Sequence, residues 1–303
     1  IRASSQAMIS PVRALALLAA TGAVWGLSFT LSRIVASGGG APLTIAFWQA
    51  AIGAGALWAL GRRPPRDRRA LVFFAVAGVL GAALPSALIY TAARHVSAGT
   101  LAVCMALVPL ATFGFCAVIG IDRLAARRLG GLALGLCAVW LLVSPDGSAP
   151  LGWTLLAVGA ALSYASENVW LALRRPPESG AFETLCGILT AAALMLGPLS
   201  MATGRIWPFG ASMGAAETAF AVQAIGNLLA YGGFVHLVGK AGPVFASQVA
   251  YVVTTAGVGW GAALLGERHD PAFWLAAALM AAGLALTLPR PAAPDWTRPR
   301  PSL

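Results

Sequence analysis

Long apolar stretches without Asp, Glu, Lys or Arg alternate with short polar segments along the whole chain. Each stretch is close to the length of about 20 residues that a helix needs to cross a bilayer. Gly, Pro, Asp and Ser concentrate between the stretches, which favours helices joined by short loops. The runs lack the alternation typical of β-barrel strands. We therefore predict an all-α integral membrane protein with ten transmembrane helices, over residues 14–32, 43–61, 70–93, 95–121, 129–145, 147–166, 184–204, 218–239, 241–266 and 271–289.

The composition agrees with this prediction and excludes several classes of protein. The chain has 303 residues, of which 59% are hydrophobic and 10% are charged. A soluble domain has about 45–50% apolar and about 25% charged residues. A soluble globular enzyme, a disordered chain and a fibrous repeat are therefore excluded. Ten helices use nearly the whole chain, so no large domain is expected outside the membrane.

The positive charges are distributed unevenly between the two ends of the predicted helices. With a cytoplasmic amino terminus, sixteen of the 20 Lys and Arg residues fall in cytoplasmic segments, three fall in outer loops, and Arg33 lies within the first helix. Cytoplasmic loops of membrane proteins carry such an excess. We therefore expect residues 1–11 and 291–303 to be cytoplasmic tails. A nucleic-acid partner is not expected, because the Arg residues form short clusters rather than one water-facing surface.

Short motifs recur at a nearly constant spacing, which indicates an internal duplication. At offsets of 138, 141, 143 and 145 residues, the recurring pairs are Leu17-Leu18-Ala19 and Leu155-Leu156-Ala157, Tyr90 and Tyr231, Ser97-Ala98-Gly99 and Lys240-Ala241-Gly242, and Asp122-Arg123 and Glu267-Arg268. Each copy holds five predicted helices, so the second copy enters the membrane upside down. We predict a first repeat over residues 12–146 and an inverted repeat over residues 147–290. Inverted repeats are typical of secondary transporters.

Three motifs add a family resemblance to this pattern. They are Ala23-Val24-Trp25-Gly26-Leu27-Ser28-Phe29 in the first helix, Gly120-Ile121-Asp122-Arg123 after the fourth and Leu264-Leu265-Gly266-Glu267-Arg268 after the ninth. With the predicted duplication, residues 12–289 resemble an EamA-type exporter of the drug/metabolite transporter superfamily, and in detail the YddG-type aromatic amino-acid exporters. The first repeat departs from the pattern with Asp122 in place of Glu. The resemblance implies a bacterial inner-membrane exporter with a central cavity among helices one to four and six to nine.

Polar and aromatic side chains inside the predicted helices are the candidate substrate-binding residues, because polar groups at bilayer depth are costly and mark functional sites. Aromatic rings suit flat solutes and cations, and amides offer both donors and acceptors to a zwitterion. The candidates are Trp25, Ser28, Tyr90, Met105, Tyr164, Glu167, Asn168, Asn227, Tyr231, Gln248 and Tyr251, with Gln223 one turn before Asn227. Pro85, Pro109 and Pro243 are candidate hinges, since proline removes an intrahelical hydrogen bond.

Each candidate also has a structural interpretation that the sequence leaves open. Glu167 either meets a substrate ammonium group or titrates during transport, or it pairs with a neighbouring helix or extends to the cytoplasmic interface. The tyrosines can pack between helices, and the amides can form interhelical hydrogen bonds. The prolines can be static kinks. Arg33 is expected to extend its side chain to the outer interface.

The sequence offers no catalytic or cofactor-binding motif. The phosphate-binding G-x-x-x-x-G-K-[ST] loop and the H-E-x-x-H motif are absent, and the four cysteines form no C-x-x-C pair. We expect a monomeric transporter, not an enzyme, that needs no cofactor and exports amino acids, including aromatic ones, or related amines and drugs. Two alternatives from the same superfamily stay open, an organophosphate or nucleotide-sugar antiporter, which requires cationic side chains in the cavity, and a purine or cationic-drug exporter.

Overall fold

A computed structural model describes residues 10–120, 126–143, 150–202, 204, 214–241 and 249–287. These residues form helices joined by short connections, with no β-strand among them. The elements are α1 (Pro11–Ser37), α2 (Pro42–Ala59), α3 (Arg68–Gly78), a π-helical turn (Val79–Ala83), α4 (Leu84–Ala92), α5 (Ala98–Met105), α6 (Leu107–Val118), α7 (Ala126–Val143), α8 (Leu151–Arg174), α9 (Ala181–Ala202), α10 (Ala215–Ala241), α11 (Val249–Leu265) and α12 (Pro271–Thr287).

Many of these helices are suited to a bilayer. Among the described residues, six helical segments are long and apolar enough to cross a membrane: Val12–Ser37, Pro42–Ala59, Arg68–Ala92, Ala98–Val118, Ala181–Ala202 and Ala215–Leu237. Shorter apolar helices cover Leu129–Leu141, Val252–Leu265 and Pro271–Gly283. Large apolar side chains also point outward, as at Leu194 (73% exposed) and Trp140 (70% exposed). The chain is therefore an all-helical, multi-pass membrane protein, while ten crossings and cytoplasmic termini stay predictions.

The connection between α4 and α5 is the tight turn that the sequence predicts. The backbone N–H groups of His95 and Val96 both donate to the carbonyl oxygen of Ala92, at 2.8 and 3.0 Å. The Ser97 side chain then caps α5 by accepting a 3.0 Å hydrogen bond from the Thr100 N–H. Serine is among the preferred residues at this position.

The third predicted helix contains a π-helical turn immediately before Pro85. The Leu84 N–H donates to the Val79 carbonyl, five residues back, so it does not serve the Leu80 carbonyl. The next residue, Pro85, has no N–H to offer. The Leu80 carbonyl instead accepts a 2.7 Å hydrogen bond from the Ser163 hydroxyl of α8. A side chain of another helix thus replaces the backbone donor that proline lacks.

The other candidate prolines have different effects on their helices. The fourth predicted helix is interrupted at Ala106, whose N–H is shared between the carbonyls of Ala102 and Val103 at 3.3 and 3.1 Å. Pro109 follows in the first turn of α6, where a missing N–H costs little. By contrast, α9 continues without a break through Pro198. Pro243 lies outside the described residues.

The helices pack in a small set of long contacts. α1 packs against α10 and α11, α8 packs against α4 and α6, α2 against α9, and α7 against α12. Small residues permit the closest of these approaches. A methyl group at Gly26 of α1 would come within 2.8 Å of the Ala256 Cβ and the Val253 carbonyl oxygen of α11. Gly26 therefore allows the contact that brings the Trp25 and Ser28 region of α1 to the centre of the bundle.

Candidate functional site

A cavity of about 500 Å³ lies between α1, α2, α4, α5, α6, α8, α10 and α11. Its volume is typical of a small-molecule site, which measures about 300–1,000 Å³. Its lining combines neutral polar groups with aromatic and aliphatic side chains. The lining residues are Trp25, Ser28, Phe29, Ser32, Gln49, Ser86, Ile89, Tyr90, Met105, Val108, Tyr164, Asn168, Gln223, Asn227, Phe234, Val249 and Val253.

Tyr90 is the centre of the polar wall of this cavity. Its side chain is only 1% exposed, and its hydroxyl lies 2.8 Å from Gln49 Oε1 and 3.1 Å from Gln223 Oε1. A tyrosine hydroxyl has a single hydrogen to donate. It can therefore satisfy only one of the two amide oxygens at a time, which leaves the other as an acceptor facing the cavity.

The same wall continues along α1 and α10. Gln223 Nε2 donates to Ser32 Oγ at 2.8 Å and to the Ser28 carbonyl at 3.2 Å. The Ser28 hydroxyl in turn donates to Asn227 Oδ1 at 2.7 Å. Buried polar groups normally have hydrogen-bond partners, and such networks fix side-chain positions. Gln223 and Asn227 are therefore held with their amides at the cavity surface.

Aromatic side chains form another part of the lining. Trp25 of α1 packs on Phe234 of α10 with ring centroids 5.5 Å apart. Tyr164 of α8 and Phe29 of α1 add two further rings. On the α6 side, Asn168 Nδ2 donates to Thr112 Oγ1 at 3.2 Å. This surface suits a solute with a flat apolar part.

A second chamber of about 200 Å³ adjoins the cavity and shares Trp25, Gln49, Ser86, Tyr164 and Asn227 with it. Its remaining walls come from α2, the π-helical turn, α9 and α10. Tyr231 lines this chamber, where its hydroxyl donates to the Ala181 carbonyl at 3.3 Å and its ring meets Phe182 edge-on. Tyr90 and Tyr231, paired in the predicted duplication, therefore line two adjoining spaces.

Glu167 lies next to the second chamber but is not among the residues that line either space. Its carboxylate occupies the gap left by the missing side chain of Gly81, in the π-helical turn, where any added methyl group would overlap it. The carboxylate makes no hydrogen bond or ion pair with another described residue. The structure thus separates Glu167 from its sequence neighbour Asn168, which faces the main cavity.

The cavity brings together most of the predicted substrate-binding residues. Trp25, Ser28, Tyr90, Met105, Tyr164, Asn168 and Asn227 line it. Gln248 and the side chain of Tyr251 lie outside the part of the chain that the structure describes. Gln49 and Ser32 also line the cavity and were not among the predicted residues, although Gln49 is the one amide in the second predicted helix. The rule that polar residues at bilayer depth mark sites would have found it.

A separate polar cluster joins the ends of α1, α5 and α11. Arg33 Nη1 lies 3.1 Å from Glu267 Oε1 and donates to the Val96 carbonyl at 2.7 Å. The two carboxylate oxygens of Glu267 also accept the N–H groups of Ala98 and Gly99, at 2.7 and 3.1 Å. An acid is favourable at a helix amino terminus. Arg33 is therefore an ion-pair residue, and the extension of its side chain to the outer interface stays a prediction.

His269 stands beside this cluster in the connection between α11 and α12. Its ring stacks on Phe273 with centroids 3.8 Å apart, and its Nε2 atom lies 3.7 Å from Glu267 Oε2. That nitrogen is buried without a hydrogen-bond partner. Burial lowers the pKa of His269 from its ordinary value, and the negative charges of Glu267 and Asp270 oppose part of this change.

Comparison with known proteins relates this arrangement to one family. Residues 12–144 match the EamA-like transporter family. No curated protein matches the chain. A solved structure described only as "Crystal structure of protein" is 20% identical, covers 91% of this chain and 96% of its own, and superposes with a TM-score of 0.57. That likeness shows the fold alone. The first half of the chain is therefore similar to EamA-like transporters, and nearly all of it shares its fold with a solved structure.

Proposed function

We propose that this chain is a secondary transporter that exports small neutral or zwitterionic organic solutes, with aromatic amino acids as the best substrates. The observation that carries the proposal is the lining of the central cavity. It combines amides and hydroxyls with aromatic rings, and none of the described residues that line it is charged. The match of residues 12–144 to EamA-like transporters supports the same class of function.

The lining fits an amino acid in chemical detail. The ammonium group needs acceptors and the carboxylate needs donors, and Gln49, Gln223 and Asn227 supply both. Trp25 and Phe234 offer ring faces to an aromatic side chain. The network that includes Tyr90 holds the amides in place before a solute arrives, which reduces the entropy lost on binding.

The charge of the lining argues against phosphate-bearing substrates. Recognition of a phosphate relies on Arg or Lys side chains, and none of the cavity-lining residues in the described part of the chain is of either type. Arg33 is held by Glu267 and the Val96 carbonyl. An organophosphate or nucleotide-sugar antiporter is therefore disfavoured. A cationic amine or drug is the second candidate, because Glu167 lies beside the second chamber.

Alternating access between two inverted repeats is the mechanism that we propose. In the predicted duplication, α1 corresponds to α8. The third predicted helix, which contains α4, corresponds to α10, and the fourth, which contains α6, corresponds to α11. The observed contacts follow this correspondence, since α1 packs on α10 and α11 while α8 packs on α4 and α6. The self-paired contacts α2 with α9 and α7 with α12 also agree. This symmetry supports the inverted duplication and two interchangeable conformations. The membrane that we propose for this transporter is the bacterial inner membrane.

Transport assays on purified protein in liposomes test the proposal. The panel comprises radiolabelled L-phenylalanine, L-threonine, choline, glucose and glucose 6-phosphate, with protein-free liposomes as the control. We expect saturable uptake of the amino acids, highest for L-phenylalanine, and none of glucose 6-phosphate. No saturable flux of any amino acid or amine would contradict the proposal, as would a preference for the sugar phosphate.

A further inference from the structure

Glu167 occupies a position near the middle of a membrane-crossing segment. Its carboxylate packs on Gly81, which follows Arg68 by 13 residues (81 − 68) and precedes Ala92 by 11 (92 − 81) in the apolar segment Arg68–Ala92. A helix rises about 1.5 Å per residue, so Gly81 lies more than 15 Å from either end. An ionisable group at this depth is costly and is a functional-site candidate by default.

Among the described residues, no opposite charge offsets this cost. None of the described Lys, Arg or His side chains forms an ion pair with Glu167; the described pairs join Arg33 and His269 to Glu267, and Arg62 to Glu183. The titratable groups that face Glu167 are Tyr164 on its own helix and Tyr231 on α10. The π-helical turn contributes Gly81, which packs against the carboxylate. A carboxylate in such surroundings favours the uptake of a positive species.

The gap that holds the Glu167 carboxylate is formed by the backbone of the π-helical turn. The π-helical turn ends at Ala83, just before Pro85, and Ser163 of α8 holds the Leu80 carbonyl at 2.7 Å. Ser163 is one helical turn before Glu167 on the same face of α8. The contact between Ser163 and Leu80 therefore fixes the register that places the carboxylate against Gly81. Such π-helical turns are frequent at functional sites.

The chemistry around the carboxylate favours a proton over a metal ion. A hard metal cation takes several oxygen ligands, whereas no other described residue forms a polar contact with Glu167, and no group of three His, Cys, Asp or Glu side chains that could hold a metal occurs in the described residues. A proton needs a single oxygen. A substrate ammonium group would have to leave the main cavity, whose lining does not include Glu167.

We propose that Glu167 is the proton-binding site of a proton-coupled antiporter. In the outward-open state one carboxylate oxygen takes a proton from water and forms an O–H bond. In the inward-open state that bond breaks and the proton passes to cytoplasmic water, while a solute moves outward in exchange. The second chamber shares Trp25, Gln49 and Tyr164 with the main cavity. A solute bound in the cavity and a proton bound at Glu167 can therefore influence each other through these shared residues.

This inference rests on the proposed function, and the experiment separates the two. Wild type, Glu167→Gln and Glu167→Asp are reconstituted in liposomes whose interior is one pH unit more acidic than the bath, with the membrane potential clamped by potassium and valinomycin. Glu183→Gln is the matched control, because Glu183 is an acid paired with Arg62 at the end of its helix. Radiolabelled L-phenylalanine is the probe, replaced by any panel member that wild type carries faster.

For one-to-one exchange, a gradient of one pH unit sustains a solute concentration inside the liposomes about tenfold higher than outside. We expect wild type, Glu167→Asp and Glu183→Gln to reach about this ratio, and Glu167→Gln to equilibrate the solute without accumulating it. Saturable wild-type transport without accumulation would overturn the inference and leave the proposed function intact. Accumulation by Glu167→Gln equal to that of wild type would do the same.

A second measurement does not depend on any solute. Infrared difference spectra between acidic and alkaline pH report the carbonyl stretch of a protonated carboxylic acid in each purified protein. We expect a band in wild type and Glu183→Gln that is missing from Glu167→Gln. If the band is identical in all three proteins, Glu167 does not exchange protons with water, and the inference is wrong even where transport itself fails.

Discussion

The guanidinium of Arg33 and the carboxylate of Glu267 lie 3.1 Å apart although 234 positions separate them in the chain. The pair joins the end of α1 to the residue that follows α11, and the same carboxylate caps the start of α5 through Ala98 and Gly99. Three helices that line the central cavity are thus fastened at one end by a single side chain. In the alternating-access cycle that we propose, this is one of the two ends that must open and close in turn.

Removal of the Glu267 charge should therefore destabilise this end of the bundle. Glu267→Gln weakens three charge-assisted contacts, and hydrogen bonds to charged groups contribute about 1.5–3 kcal/mol each at most. Because Arg33 is 34% exposed, we expect a net loss of about 1–3 kcal/mol, measured as a lower melting temperature in detergent. Glu183→Gln, which breaks the more exposed pair with Arg62, should change it little, since surface pairs contribute about 0–1 kcal/mol. Equal effects of the two variants would contradict the fastening role.

His269 should make the stability of the folded protein depend on pH. Burial lowers its pKa below that of the unfolded chain, so the folded state binds fewer protons than the unfolded state. The stability that the neutral ring contributes is complete above the ordinary histidine pKa of about 6.5 and is lost as the pH falls toward the lower folded value. We expect the melting temperature of wild type to decline on acidification.

The phenylalanine variant isolates the contribution of this histidine. Phe keeps the stack on Phe273 but cannot take up a proton, so His269→Phe should show a smaller decline than wild type over the same pH range. The exposed His236 provides the matched control, His236→Phe, which should decline as wild type does. A decline in His269→Phe as steep as that of wild type would assign the pH dependence to other groups.

The link between Ser163 and the π-helical turn predicts a non-additive pair of substitutions. Ser163→Ala leaves the part-buried Leu80 carbonyl without its side-chain donor, at a cost of about 1–3 kcal/mol. Pro85→Ala restores a backbone N–H that can donate to the Leu80 carbonyl. We therefore expect Ser163→Ala to lower the melting temperature clearly in the wild-type background and much less in the Pro85→Ala background. The measurement is thermal unfolding of wild type, the two single variants and the double variant. Additive effects would show that proline is not the reason for the Ser163 contact.

Tyr90→Phe tests the polar wall of the cavity. The substitution keeps the buried ring and removes the hydroxyl that lies between Gln49 and Gln223. An unsatisfied buried amide costs about 1–3 kcal/mol, so the rate of L-phenylalanine transport should fall between about fivefold and a hundredfold at normal expression. Trp140→Phe, at an outward-facing position, should transport as wild type does. Unchanged transport by Tyr90→Phe would make Tyr90 a packing residue.

The sequence predicted the helices well because bilayer physics imposes their length and apolar character. The turn at Ala92–Ser97 and the breaks near Pro85 and Pro109 follow from local chemistry that any reader of the sequence can apply. The contact between the Glu167 carboxylate and Gly81 could not be predicted, because the two residues are 86 positions apart (167 − 81). It also depends on the register between α8 and the π-helical turn. The partner of Arg33 was hidden for the same reason, since Glu267 meets it only after the bundle has closed.

The central claim is that the cavity moves neutral or zwitterionic amino acids across the membrane. The most direct measurement is competition in proteoliposomes, in which radiolabelled L-phenylalanine uptake is followed with an excess of unlabelled L-phenylalanine, choline, glucose or glucose 6-phosphate outside. The uncharged, amide-lined and aromatic cavity predicts saturable uptake that unlabelled L-phenylalanine abolishes and glucose 6-phosphate leaves unchanged. Uptake no faster than in protein-free liposomes, or inhibition by glucose 6-phosphate as strong as that by L-phenylalanine, would contradict it.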